Sequence, residues 1–292
     1  MKFEGSLVAL ITPMDDAGAV DYQALDRLIE HHVSSGTHGI VSVGTTGESA
    51  TLNVDEHLAV IEHTVKSVNG RIPVIAGTGA NSTEEAILLT KEAQELNADA
   101  ALLVVPYYNK PTQEGLYLHF KAIAEAVAIP QILYNVPGRT VADMSNQTIA
   151  RLAGFDNIVA CKDATGDLER GKELIDLCGD QLSILSGDDP TALDYMKLGA
   201  KGDISVTANV APALMSQMCE AALNGDFELA EQLDSKLRLL HRDLFLEANP
   251  IPVKYAVSKQ GFTSNTLRLP LTPLSQELEQ AVDVAMNAAL AQ

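Results

Sequence analysis

Asn157-Ile158-Val159-Ala160-Cys161-Lys162-Asp163-Ala164-Thr165-Gly166 runs four small or apolar residues into one lysine and then into a Thr-Gly turn signal. The pattern reads as a short buried strand with a lysine at its end. Taking an ammonium out of water costs several kcal/mol unless its charge is paired or lost. A lysine desolvated in this way is more often a neutral amine, and so a nucleophile toward carbonyl compounds and a candidate Schiff-base former. The competing reading is a strand-end lysine whose stem packs on apolar neighbours while its head reaches solvent or a salt bridge. Of twelve lysines, the other eleven fall at the N-terminus, in polar turns such as Lys110 and Lys201, or on helical patterns. Only Lys162 interrupts an apolar strand.

The run is one of eight. Leu7–Thr12, Gly39–Val43, Pro73–Gly77, Ala100–Val105, Gln131–Val136, Ile158–Lys162, Leu182–Ser186 and Gly202–Val206 are all short, apolar and rich in β-branched residues. Each reads as a strand buried on both faces. Helical patterns separate them, with clear start signals: Asn53 with Glu56 resembles a capping box, and Ser82 precedes Glu84 and Glu85. Eight strand–helix alternations without a linker predict an α/β fold, a (β/α)8 TIM barrel over residues 1–224, with a doubly wound sheet as the alternative. Residues 225–292 continue with three helical patterns, Phe227–Leu246, Ile251–Lys259 and Ser275–Ala289, and form a C-terminal helical extension.

The chain has 292 residues, within the range of a single α/β barrel. With 46% hydrophobic and 20% charged residues it has the composition of a globular protein with a full core. Its net charge of −19 repels polyanions, so nucleic acid and anionic membranes are poor partners. A small anionic substrate would need local cations and backbone N–H donors. The odd number of cysteines, Cys161, Cys178 and Cys219, predicts free thiols and a cytoplasmic location. The apolar run Leu7–Ile11 is too short for a signal peptide, and no stretch approaches membrane-spanning length.

In a barrel the site lies where the strands end. Those ends read Gly44-Thr45-Thr46-Gly47-Glu48-Ser49, Gly77-Thr78-Gly79, Pro106-Tyr107-Tyr108-Asn109, Tyr134-Asn135-Val136-Pro137-Gly138-Arg139-Thr140 and Gly187-Asp188-Asp189. The Gly44–Gly47 segment is either an ordinary turn or one that aims N–H groups and two hydroxyls at a carboxylate. Three of seven tyrosines, Tyr107, Tyr108 and Tyr134, end strands 4 and 5. Tyr134 could be core packing, or a phenol that shuttles protons beside a Schiff-base lysine. Arg139 is either a solvated arginine or a carboxylate clamp. Gly166–Lys172 has P-loop spacing, but Glu173 replaces the magnesium-holding hydroxyl. The histidines lack metal-ligand spacing, so neither a metal nor a cofactor is expected.

In this order, Gly44-Thr45-Thr46-Gly47-Glu48, Tyr134-Asn135-Val136-Pro137-Gly138-Arg139-Thr140 and Lys162-Asp163-Ala164-Thr165-Gly166 resemble the pyruvate-dependent class I aldolases that include N-acetylneuraminate lyase. Within them the chain is most similar to the dihydrodipicolinate synthase family of bacterial lysine and diaminopimelate synthesis. The similarity extends from Gly5-Ser6 through Pro250-Ile251-Pro252-Val253-Lys254 to Leu267-Arg268-Leu269-Pro270. It implies an imine between Lys162 and pyruvate, with Tyr134, Thr45 and Tyr108 relaying protons and Tyr108 reaching into a neighbouring subunit. It places Thr46, Gly187 and the backbone of Ile204 around pyruvate, and Arg139 on the carboxylate of aspartate semialdehyde. It also implies a dimer of dimers. An allosteric lysine site would map to Ser49, Ala50, His57, Asn81, Glu85 and Tyr107. Val54 stands where lysine-sensitive relatives tend to carry histidine, so feedback inhibition is expected to be weak or absent. Asp163 takes a position often held by glutamate, a change expected to be tolerated. The rival readings are a sialic acid or keto-deoxy sugar acid lyase, and a binding barrel without chemistry.

Overall fold

The alternation of apolar runs and capped helical segments closes on itself. In the computed structural model, eight parallel strands β1 (Gly5–Ala9), β2 (Gly39–Ser42), β3 (Val74–Gly77), β4 (Ala100–Val104), β5 (Gln131–Asn135), β6 (Ile158–Asp163), β7 (Ser183–Ser186) and β8 (Gly202–Ser205) form one barrel in sequence order. β8 pairs with β1, with Ser6 opposite Asp203 and Leu7 opposite Ile204, which excludes the doubly wound sheet. Residues 3–291 are described; Met1, Lys2 and Gln292, which carry the outer ends of the two predicted segments, lie outside them.

The connecting helices are α1 (Tyr22–Ser34), α2 (Val54–Val68), α3 (Thr83–Glu95), α4 (Gln113–Ala126), a short α5 (Pro137–Thr140), α6 (Asn146–Leu152), α7 (Leu168–Cys178), α8 (Ala192–Lys197) and α9 (Pro212–Leu223). Many of their starts follow from the sequence: Asp21, Asn53, Ser82, Thr112, Ser145 and Asp167 each accept a backbone N–H of the first turn. Asn53 and Glu56 complete the reciprocal capping box. Asp167 caps α7, so the Gly166–Lys172 segment is an ordinary helix start. The chain then adds α10 (Phe227–Asp243), α11 (Ile251–Lys259) and α12 (Gln276–Leu290). α10 packs on α9 and α12, and α11 on α12.

The period of two along each strand makes two cores. Leu7, Val41, Ile75, Leu102, Ile132, Tyr134, Ala160, Leu185 and Ile204 fill the barrel, whereas Val8, Ile40, Leu103, Leu133, Cys161 and Ile184 face the helices. Because Ala160 points inward, Lys162 two residues on does too.

Three local expectations change. The first strand ends at Ala9 rather than Thr12, because Thr12 turns its hydroxyl to Gly47 O at 2.6 Å. Arg139 lies on α5, not in an open loop, since Pro137 at the first helical position is already set for a helix. The helix after β7 begins as a 3-10 turn over Asp189–Thr191 before α8.

Candidate active site

Lys162 is 5% exposed, near the C-terminal end of β6. Strand register sets it directly opposite Tyr134 on β5, and its Nζ lies 4.4 Å from the centroid of the Tyr134 ring. That is the adjacency the strand order predicted. On the other side β7 gives way: a Cβ on Gly187 would fall 2.5 Å from Lys162 Cε and 2.8 Å from Ala164 Cβ, so only glycine lets the lysine stem pass. The Ile204 side chain completes the interior on β8. Lys162, Tyr134, Gly187 and Ile204, taken from four strand ends, are thus brought together.

Behind the lysine, on the helix-facing side of β6, Cys161 and Asp163 are buried, and burial pushes the thiol and the carboxyl above their ordinary ranges. All three cysteines are buried and unpaired. A thiol held protonated in apolar surroundings is inert, so Cys161 offers no competing nucleophile next to Lys162.

The Gly44–Glu48 turn leaves β2 through bonds from Gly47 N–H and Glu48 N–H to the carbonyls of Gly44 and Thr45, both 3.1 Å. Thr45 and Arg139 line a cleft of about 450 Å³ at the barrel mouth. Thr46 is buried and accepts a 2.9 Å hydrogen bond from Asn249 Nδ2. The Asn249 carbonyl in turn accepts from Arg139 Nη2 at 3.1 Å. The two candidate carboxylate-binding groups are therefore joined through one residue of the C-terminal extension.

Ser49, Ala50, His57, Glu85 and Tyr107 line the same cleft, together with Val54. Asn81, the sixth residue of that set, donates to Tyr107 O at 3.2 Å. Tyr108 stands apart: it is 88% exposed, and its φ of +73° is a left-handed conformation that a bulky residue rarely adopts. Among the described residues no hydrogen bond joins it to Tyr134 or Thr45 within the chain.

One inference from the sequence needs correcting. Lys162 is not alone in being buried: Lys254, assigned above to a helical pattern, is 0% exposed. Its Nζ lies 2.5 Å from Glu48 Oε1, and the Glu48 side chain is equally buried. Burial pushes the Lys254 amine below its ordinary value, while the Glu48 charge opposes the shift. Because Lys254 is engaged by a carboxylate and Lys162 has no acidic partner within salt-bridge distance among the described residues, the nucleophile assignment still falls on Lys162.

Glu48, with φ of +58°, also accepts from Arg268 N–H at 3.3 Å. Arg268 forms a two-pronged pair with Glu56 at 2.8 and 2.6 Å, which holds that carboxyl down at about 2. Arg268 further donates to the carbonyls of Gly18 and Thr51, both at 2.9 Å. Asn249, Lys254 and Arg268 were not singled out from the sequence. The available signal was Ile251–Val257, a helix apolar on every face except for one lysine, which is the pattern of a fully buried helix.

A profile of the Dihydrodipicolinate synthetase family matches residues 2–289. The 4-hydroxy-tetrahydrodipicolinate synthase of Thioalkalivibrio sulfidiphilus (strain HL-EbGR7) is 61% identical over 287 residues, 98% of each chain. That of Stutzerimonas stutzeri (strain A1501) is 60% identical, covering 97% of each. A crystal structure of the chloride-inhibited dihydrodipicolinate synthase of Acinetobacter baumannii, complexed with pyruvate, superposes with a TM-score of 0.97 at 56% identity, over 98% of both chains. The barrel, the buried lysine beside its tyrosine and this full-length similarity agree: the chain belongs to the dihydrodipicolinate synthetase family.

Proposed function

We propose that the chain is a metal-independent, imine-forming lyase that condenses pyruvate with L-aspartate 4-semialdehyde to 4-hydroxy-tetrahydrodipicolinate, in lysine and diaminopimelate synthesis. The observation that carries this reading is Lys162, buried at the strand ends with Nζ 4.4 Å from the Tyr134 ring. The Lys162 Nζ attacks C2 of pyruvate. Proton transfers through Tyr134 convert the carbinolamine to an imine with loss of one water. Removal of a C3 proton then gives an enamine, whose carbon adds to the aldehyde of the semialdehyde. The α-amino group of that substrate displaces Lys162 from C2, which closes the ring and frees the lysine.

Thr46, Gly187 and the Ile204 backbone hold the pyruvate end. Arg139 holds the carboxylate of the second substrate, and its guanidinium on the cleft wall favours that acid over a polyhydroxylated sugar acid. Thr45 and Tyr108 complete the proton relay, with Tyr108 supplied to the site of a second copy; its exposure and left-handed backbone support that role. The assembly is a homotetramer, a dimer of dimers. The cleft side formed by Ser49, Ala50, His57, Glu85 and Tyr107, with Asn81 bonded to Tyr107 O, is an effector site that binds lysine weakly if at all, because Val54 supplies no charge or hydrogen bond there. Three free thiols suit the cytoplasm.

Borohydride reduction in the presence of pyruvate tests the chemistry. A stable adduct of one reduced pyruvyl group on Lys162, found by peptide mass mapping, is expected. An unchanged mass would refute imine formation, and faster turnover of a sugar acid would move the assignment to that branch.

A further inference from the structure

The polar groups on the outer faces of β7 and β8 have no part in the chemistry above. Asp189 opens the 3-10 turn after β7 and is buried. Its Oδ1 accepts from Ser205 Oγ, and its Oδ2 accepts from the backbone N–H of Val206 at 2.9 Å and of Thr207 at 3.1 Å. Ser205 Oγ in turn accepts from Ala208 N–H at 2.9 Å. A single carboxylate therefore ties the turn that leaves β7 to the turn that leaves β8.

Those turns follow directly on Gly187 and Ile204. Gly187 is itself fixed to β6, its N–H donating to Asp163 O at 2.9 Å, and it packs against the Lys162 stem. Asp203, one residue before Ile204, is wholly buried, and neither of its carboxyl oxygens has a hydrogen-bond partner. Burial first, and then the charge of Asp189, push the Asp203 carboxyl well above the ordinary range.

We propose that Asp189 is a positioning residue for pyruvate: it sets the spacing between Gly187 and the Ile204 backbone, and with it the slot that holds the keto acid beside Lys162. The proposal rests on the reading of Lys162 as the imine-forming amine. Displacing a binding group by a fraction of an ångström weakens the substrate it touches and spares the substrate held elsewhere, here by Arg139.

The test compares the full-length wild type with Asp189→Asn and Ser205→Ala, measuring KM for each substrate, kcat, and borohydride trapping with pyruvate. Asp189→Asn is expected to raise KM for pyruvate about tenfold, with KM for the semialdehyde within about twofold and kcat within about threefold. Ser205→Ala removes one donor and keeps both backbone bonds, so a rise of about two- to threefold in KM for pyruvate is expected. If Asp189→Asn does not fold, Ser205→Ala decides. An unchanged KM for pyruvate, or a parallel rise in both KM values, overturns the positioning role. No borohydride adduct on wild-type Lys162 overturns the underlying reading instead, so the two failures are distinguishable.

Discussion

Lys254→Met should be far more costly than its place on a short helix suggests. The lysine and Glu48 are both fully buried, and removing the ammonium leaves a carboxylate whose remaining partner is Arg268 N–H at 3.3 Å. Breaking one side of a buried pair costs about 3–5 kcal/mol. Unfolding entropy of about 2.1 cal/mol/K per residue gives ~0.6 kcal/mol/K for a chain of this length, so Tm should drop by ~5–8 °C. Glu48→Gln leaves the ammonium stranded and should cost a similar amount. The double variant Glu48→Gln/Lys254→Met buries no charge, and should recover to within about 1–2 kcal/mol of wild type, a coupling of at least ~4 kcal/mol. Activity should not recover with it. Glu48 follows Thr45 and Thr46 in a left-handed backbone, and without the pair that turn loses its anchor, so kcat/KM should remain about tenfold low. Calorimetry and steady-state kinetics on the four proteins of the cycle provide the measurement. A Tm for Lys254→Met within about 2 °C of wild type, or full activity in the double variant, would refute the reasoning.

Other substitutions probe the lysine channel and the pH response. Gly187→Ala should cut borohydride trapping and kcat about a hundredfold or more and lower Tm by about 2–5 °C, since the new Cβ would sit 2.5 Å from Lys162 Cε, and a retained adduct would show that the stem can move aside. His119 is buried, with Nδ1 on Thr83 Oγ1 at 2.9 Å, and burial lowers it from 6.5 to about 4. Its folded value lies below its unfolded one, so its contribution is fully present above pH 6.5 and is lost as pH falls from there toward about 4. That amounts to about 3 kcal/mol over the window, and His119→Gln should remove about that much of the change in denaturant stability between pH 6.5 and about 4.

The architecture was legible because the strands are buried on both faces and most of the long helices carry a side-chain cap at their start, and both signals are local. Lys162 was legible for the same reason: a charge in an apolar strand contradicts its neighbours. Lys254 contradicts nothing nearby, because lysine is common on helices, and what buries it is a carboxylate 206 positions away. Asn249 meets Thr46 across 203 positions, and Arg268 meets Glu56 across 212. Asp189 is engaged by the backbone of the next strand end, at Val206 and Thr207, which its own neighbours in sequence do not signal. The signals that failed were long-range pairings, which periodicity and capping do not encode.

The same long-range pairings govern when the enzyme becomes competent during its own synthesis. A chain translated only through β8 already contains every residue assigned to touch pyruvate. Yet the hydroxyl turn from the start of the chain still lacks Asn249, Lys254 and Arg268, all of which are translated later. Lys162 is therefore synthesised well before the residues that brace the Thr45–Thr46 turn, and a chain cut short after β8 is expected to have little turnover.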